Sequence, residues 1–277
     1  MLDLDLNRTG VPPRDASTLI VLRDGPGGVE VFCVERHPKS GFMGGAIVFP
    51  GGKVDPDDAS PAWDGIAEDG PERALKVAAC REALEEAAIL PLAGGALTHA
   101  ELLTLRAELV AAPKSLPSLL RTRGLRLDLA ALHPFARWIT PIAESRRYDT
   151  RFYVTLLPPG QQGAHDERET TSSFWATPAR VLARFEEGTV QLAPPTHRTL
   201  ELLGRARTTG EALAYAATTN KEPICPRLVP QGDTMALVLP GDPEHDVREA
   251  RVEGKSRYVL RSGRFLPADA PPPTSLG

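Results

Sequence analysis

Arg81-Glu82-Ala83-Leu84-Glu85-Glu86 lies late in an alanine-rich run that begins near Pro71 and meets no Gly or Pro until Pro91. Pro71 suits a first helical position, with Gly70 or Asp69 as its cap, so the run to Leu90 is expected to be one helix. At about 100° per residue, Glu82, Glu85 and Glu86 share one face, and Ala74, Val77, Ala78 and Ala88 form an apolar stripe beside it. Three like charges on one face need solvent, arginine or a divalent cation to offset their repulsion. Arg81, one turn before Glu85 and close to the apolar stripe, supplies part of that offset. Taken alone, such a face reads as a solvated charged surface.

The segment upstream changes that reading. Gly44-Gly45-Ala46-Ile47-Val48-Phe49-Pro50-Gly51-Gly52-Lys53-Val54 is an apolar, strand-like run that stops at Pro50. The two glycines after it let the backbone pass close to another group and expose its carbonyls or amides. Together the turn and the helix resemble the box of the Nudix hydrolases, a strand, a G-G turn, a loop and a helix carrying R-E-x-x-E-E-x-G and then an apolar residue. Arg81, Glu82, Glu85, Glu86 and Ile89 stand in register with it. Ala88 replaces the glycine that closes the box, so the helix is expected to run slightly further. Arg73, with Glu72 beside it, replaces the glutamate eight positions before the box arginine, and metal schemes that need that carboxylate do not carry over. The spacing from Gly52 to Arg81 exceeds that of an uninterrupted box by about fifteen residues, and 55–70 is expected as an inserted acidic, Pro-containing loop.

The resemblance implies an α/β fold, a Nudix-type α/β/α sandwich with a mixed sheet, over a single domain at 1–277. To this are added a helical insertion at 97–131, where leucines recur at helical spacing and Pro113 and Pro117 split the run into two helices, and a β-rich C-terminal extension at 224–265. The Ala-, Asp- and Pro-rich end, 267–277, is expected to be disordered. In order, Ser17–Leu22 and Val29–Glu35 read as a hairpin, Phe135–Thr140 and Arg151–Leu157 as strands, and Pro178–Glu186 as a helix. Another helical region runs from Leu192 to about Ala217 with a break near Gly210. His99 and His133 have no ligand-like neighbours and read as ordinary surface or core histidines.

For the chemistry, the resemblance implies Mg²⁺ or Mn²⁺ held by Glu82, Glu85 and Glu86, with the Gly51 carbonyl completing the shell and Arg81 orienting Glu85. In the family an acidic loop before a W-x-x-P segment supplies a further metal ligand or the general base. Here that loop precedes Trp175, with Glu169 the first choice, Glu167 the second, and the box glutamates Glu85 and Glu86 as alternatives. Arg36, Gly45 and Phe49-Pro50-Gly51-Gly52 also match a signature of the coenzyme A diphosphatases, although its second arginine falls on Gly41; the interrupted box resembles the peroxisomal-type subgroup and its bacterial relatives. The implied substrate is coenzyme A or an acyl-CoA. Arg36 and Lys39, beside His37, then flank one entrance to the site, and Arg146, Arg147 and Arg151 are candidates to grip phosphate bidentately. Two other readings stay open: a Nudix hydrolase of ADP-ribose, NADH or dinucleotide polyphosphates, and a catalytically weak Nudix-like nucleotide-binding module.

Composition fits a soluble globular protein. The 277 residues are 42% hydrophobic and 25% charged, and a net charge of −4 gives no electrostatic case for nucleic-acid binding. Cys33, Cys80 and Cys225 lack paired spacing, which argues against a disulfide framework and for buried, reduced thiols. The N-terminus shows no signal segment and no apolar run approaches bilayer length, so a cytoplasmic protein with no membrane partner is expected. The expected partner is a small nucleotide diphosphate, and a homodimer is compatible with the sequence.

Overall fold

In the computed structural model, which describes residues 3–37, 44–113, 115–166 and 170–271, the strand β1 (Arg14–Gly25) sends alternate side chains into two cores. Leu19 and Val21 enter one, and Ile20 and Leu22 enter the other. That two-sided burial makes β1 a central strand, covered on both faces. A tight turn leads to β2 (Gly28–Arg36), as the hairpin signature predicts, and two short strands follow, β3 (Ile47–Val48) and β4 (Gly51–Lys53). The box helix is α1 (Arg73–Ala87). After it come β5 (Leu92–Ala93), α2 (His99–Ala111), α3 (Leu116–Thr122), β6 (Arg126–Leu127), β7 (His133–Ile139), β8 (Tyr148–Leu156) and β9 (Thr170–Ala176). The chain continues through α4 (Pro178–Glu186), α5 (Pro194–Leu203) and α6 (Thr209–Thr218) to β10 (Arg227–Gln231), β11 (Thr234–Val238), β12 (Arg257–Arg261) and β13 (Arg264–Ala268).

The main sheet has the order β3-β2-β1-β8-β7, with β4 on β1 and β9 on β2. β1 runs parallel to β8 and antiparallel to β2 and β4, so the sheet is mixed, as expected. On one face, Phe32, Val34 and Leu19 pack with Val77, Cys80 and Leu84 of α1 and with Leu102 and Leu105 of α2. On the other, Ile20 and Val154 pack with Phe185 of α4, Leu200 of α5 and Ala212 of α6. The expected sandwich is therefore present. The C-terminal extension is an antiparallel sheet, β10-β11-β12-β13, joined to the second core through Leu237 and Tyr258. Its inner ion pair, Arg257 with Asp242 at 2.6 Å, is fully buried at both ends. β13 runs through Pro267 to Ala268, beyond the start of the expected disordered tail.

Segment 55–70 links β4 to α1, and its two short 3-10 turns, Pro56–Ala59 and Pro61–Trp63, place Trp63, Ile66 and Ala67 in the core against α1. One expectation needs correction: α1 does not continue past Ala88. Ala88 takes up the left-handed conformation at φ 50° and ψ 43°, and its N–H meets Leu84 O at 3.0 Å. The cause is tertiary, because the turn drives Ile89 and Leu90, both fully buried, back into the core. Cys33 and Cys80 are buried free thiols, and burial pushes both up, Cys33 to about 12. Among the described residues no helix is long and apolar enough to cross a membrane.

Candidate active site

The glycine turn seats β4 between β1 and α1. A Cβ on Gly51 would lie 2.5 Å from Ser17 O and 2.7 Å from Thr18 Cα, so only glycine lets β4 approach β1 this closely. The Gly51 N–H donates to Glu86 Oε2 at 3.0 Å. A Cβ on Gly52 would lie 2.4 Å from Glu82 Oε1, which places that carboxylate directly against the turn. The corner and two of the three box glutamates thus meet.

Arg81 is the hub of the acidic face. Its Nε and Nη2 each reach Asp58 at 2.9 Å, its Nη1 meets Glu82 Oε1 at 2.9 Å and Glu85 Oε2 at 3.5 Å, and Nη2 also donates to Lys53 O at 3.1 Å. Burial alone would weaken the guanidinium charge, but the Asp58 hydrogen bonds and the charges of Glu82, Asp58 and Glu85 hold it above its ordinary value. Orientation of Glu85 by Arg81 was expected; the shorter contacts to Asp58 and Glu82 were not.

Arg81, Glu82, Glu85 and Glu86 line a cleft of about 540 Å³. Asp55, Asp57, Glu82, Glu85 and Glu86 form its acidic wall, and Leu103, Ala107 and Val110 of α2 its apolar wall. Arg106, also on α2, donates to Ala164 O at 2.8 Å and His165 O at 3.1 Å, so the helical insertion holds the acidic loop beside the cleft. Asp166, in that loop, is a lining residue; Glu167 and Glu169 lie outside the described residues, as does Lys39. A larger groove of about 740 Å³, mainly apolar, lies between the N-terminal segment and β11–β13, but it contains none of the box residues. The chemistry identifies the smaller cleft.

The proposed phosphate arginines are placed unequally. Arg36 ends β2, two residues after Val34, and its Nε is buried with no hydrogen-bond partner among the described residues. Arg151 is paired with Asp149, as is Arg137, and Arg147 is held by Thr140 O at 3.0 Å and Val11 O at 2.7 Å. Arg146 is exposed. None of the four candidates, Arg36, Arg146, Arg147 and Arg151, is among the described residues lining the cleft, so the structure does not bring them together with the glutamates. Asp58, Asp57 and Arg106 are the groups that sequence reasoning missed. Asp58 alone had a prior signal, the need of Arg81 for a partner on its apolar side.

Among the described residues no three His, Cys, Asp or Glu side chains converge closely enough to form a ready cage for an ion. The donor set nevertheless suits a hard divalent cation: every candidate is a carboxylate or carbonyl oxygen, and the cradle at Gly52 is kept open only by the absence of a side chain.

The NUDT19 Nudix domain family model matches residues 69–203, starting at the end of the insertion. The structure is also similar to the crystal structure of a NUDIX hydrolase from Alicyclobacillus acidocaldarius, with 30% identity and a TM-score of 0.65 over 74% of this chain and 96% of that one. The chain belongs to the Nudix hydrolase family, whose members generally use divalent metal ions. Within it, the chain is similar to acyl-coenzyme A diphosphatase NUDT19 of Gallus gallus, at 28% identity over 79% of this chain and 73% of that protein. The Homo sapiens protein of the same name is 25% identical over 86% of this chain and 79% of its own length.

Proposed function

We propose that this chain hydrolyses the diphosphate of coenzyme A or an acyl-CoA, giving 3',5'-ADP and 4'-phosphopantetheine or its acyl form, with Mg²⁺ or Mn²⁺. The observation that carries the reading is the meeting of the Gly51-Gly52 corner with Glu82 and Glu86, two glutamates that line a cleft of about 540 Å³. The likeness to the acyl-coenzyme A diphosphatases supports the choice of substrate.

Glu82, Glu85 and Glu86 would hold the ion, with the Gly51 carbonyl as a further oxygen. When bound, the ion offsets phosphate charge and makes water a better nucleophile. Arg81 fixes the carboxylates it touches and takes no proton. Arg36, whose buried Nε has no partner among the described residues although it does not line the cleft, is kept as the candidate cation for a phosphate oxygen. The proton of the attacking water goes to a carboxylate of the loop that begins at Asp166, with Glu169 as first choice, and a box glutamate is the alternative. The acyl or pantetheine arm has an apolar surface to lie against in Leu103 and Val110.

The test is a panel of CoA, acyl-CoAs, ADP-ribose, NADH and diadenosine polyphosphates, incubated with Mg²⁺ or Mn²⁺ and resolved by mass spectrometry. Release of 3',5'-ADP from CoA or acyl-CoA is expected. Cleavage of ADP-ribose, NADH or dinucleotides with CoA left intact would reassign the substrate, and no turnover of any compound would favour a binding module.

A further inference from the structure

The segment that interrupts the box delivers Asp58 to the one arginine on the acidic face. The Asp58 side chain is 1% exposed and takes two donors of Arg81, Nε and Nη2, each at 2.9 Å. Asp58 is itself fixed, because its Oδ2 accepts the Asp55 N–H at 2.8 Å. The unit around it is anchored in the core by Trp63, whose Nε1 donates to Asp57 O at 3.0 Å, and by Ile66, whose carbonyl accepts Leu127 N–H at 2.7 Å. With two sides of the guanidinium occupied, only Nη1 is directed at Glu82 and Glu85, at 2.9 Å and 3.5 Å.

We propose that Asp58 is a positioning residue for the metal-holding face: it restrains Arg81 and balances its charge, so that Glu82 and Glu85 are aligned by the guanidinium without being captured by it. An arginine with no such restraint would turn its planar fork onto a glutamate, forming the bidentate pair that carboxylates favour, and would compete with an incoming cation for the same oxygens. A balanced, restrained arginine leaves those oxygens their negative charge. The interruption of the box therefore adds a brace for the ion site from outside the helix, an arrangement in which groups behind the ligands set their orientation.

The inference rests on the reading of this face as an ion site, and its test is independent of the substrate. Mn²⁺ binding to the full-length protein is measured by calorimetry without substrate, alongside thermal melts of the ion-free protein. Asp58→Asn keeps the volume and is expected to raise the Mn²⁺ dissociation constant about 10- to 100-fold, the range seen when a group supporting a ligand is removed. In an Arg81→Gln background the same change is expected to add less than about twofold, because Asp58 acts through Arg81. Trp63→Phe loosens the same segment away from the arginine; it is expected to lower the melting temperature while leaving Mn²⁺ affinity within about twofold. Wild-type affinity in Asp58→Asn, simple additivity of Asp58→Asn and Arg81→Gln, or equal loss of affinity in Trp63→Phe for an equal fall in melting temperature would each overturn the proposal. So would an absence of Mn²⁺ binding by the wild type. Ion binding without CoA cleavage would sink only the substrate assignment.

Discussion

Replacing Gly52 by alanine should injure the site and spare the fold. The added methyl falls 2.4 Å from Glu82 Oε1 and 2.6 Å from its Cδ, whereas ordinary contact begins near 3.4 Å, so the carboxylate has to retreat by about 1 Å. It is the atom that yields, because it ends a flexible side chain while Gly52 is tied to Ser17 across the sheet. Forcing the side chain off its rotamer costs about 0.5–1.5 kcal/mol. Replacing glycine returns about 0.4–1 kcal/mol through the unfolded chain, since the Gly52 φ is not in the left-handed region. Net stability should therefore change by less than about 1 kcal/mol, or about 2–4 °C in Tm. A displacement of 1 Å at a reacting site is worth about 100-fold in rate, close to 2.7 kcal/mol of barrier. The assay is kcat/KM for CoA cleavage in Mg²⁺, with melts run in parallel. Gly51→Ala is the contrast: its methyl would strike Ser17 O and Thr18 Cα, backbone atoms that cannot step aside, and overpacking there should cost about 3 kcal/mol or more. Wild-type kcat/KM in Gly52→Ala, or a loss of Tm equal to that of Gly51→Ala, would refute the assignment of separate roles to the two glycines.

Glu86→Gln keeps an oxygen for the Gly51 N–H and should leave Tm within about 3 °C while abolishing Mg²⁺-dependent hydrolysis, and Glu85→Gln should act alike; undiminished turnover would remove these groups from the mechanism. At Ala88, glycine relieves about 1–2 kcal/mol of left-handed strain but gives up a buried methyl worth about 0.8 kcal/mol and adds unfolded-chain entropy, so Ala88→Gly should melt within a few degrees of wild type. Ala88→Val, β-branched at positive φ, should lose about 2–4 kcal/mol in denaturant titrations. Asp242→Ala removes the partner of Nε and Nη2 from buried Arg257, which keeps Glu244 at 2.9 Å, and should cost about 3 kcal/mol. Burial alone would raise the Asp242 carboxyl, but Arg257, Ser256 and the Glu244 N–H bring it below the ordinary aspartate range, and Arg137 and Arg151 do the same for Asp149. Their stabilisation is thus complete above about pH 4 and lost as pH falls through the lower folded-state values, which melts from pH 7 to 3 should record as a steepening decline.

Features of this fold that local chemistry dictates were legible in the chain, and features that depend on a distant partner were not. The helix Pro178–Glu186 follows its expected bounds because a proline start and an amphipathic run suffice to define it. The Gly51-Gly52 corner and the glutamate helix were readable because two glycines and three carboxylates at fixed spacing limit what can meet. Ala88 misled, since alanine favours helix and only the demand to bury Ile89 and Leu90 forces it left-handed. Arg147 and Arg151 misled differently: an arginine between strands looks the same whether it faces phosphate, a carbonyl or Asp149, and the pairing is decided by register across β7 and β8. Asp58 lay hidden in a stretch that reads as an inserted acidic, Pro-containing loop. The clue to it was energetic: an arginine beside an apolar stripe, with three glutamates set aside for another charge, requires a carboxylate from elsewhere, and 55–70 was the acidic segment without a task. Unassigned acid and an underpaired base point to such a pairing, but 55–70 carries six acidic residues and only the packing of the segment against α1 selects Asp58.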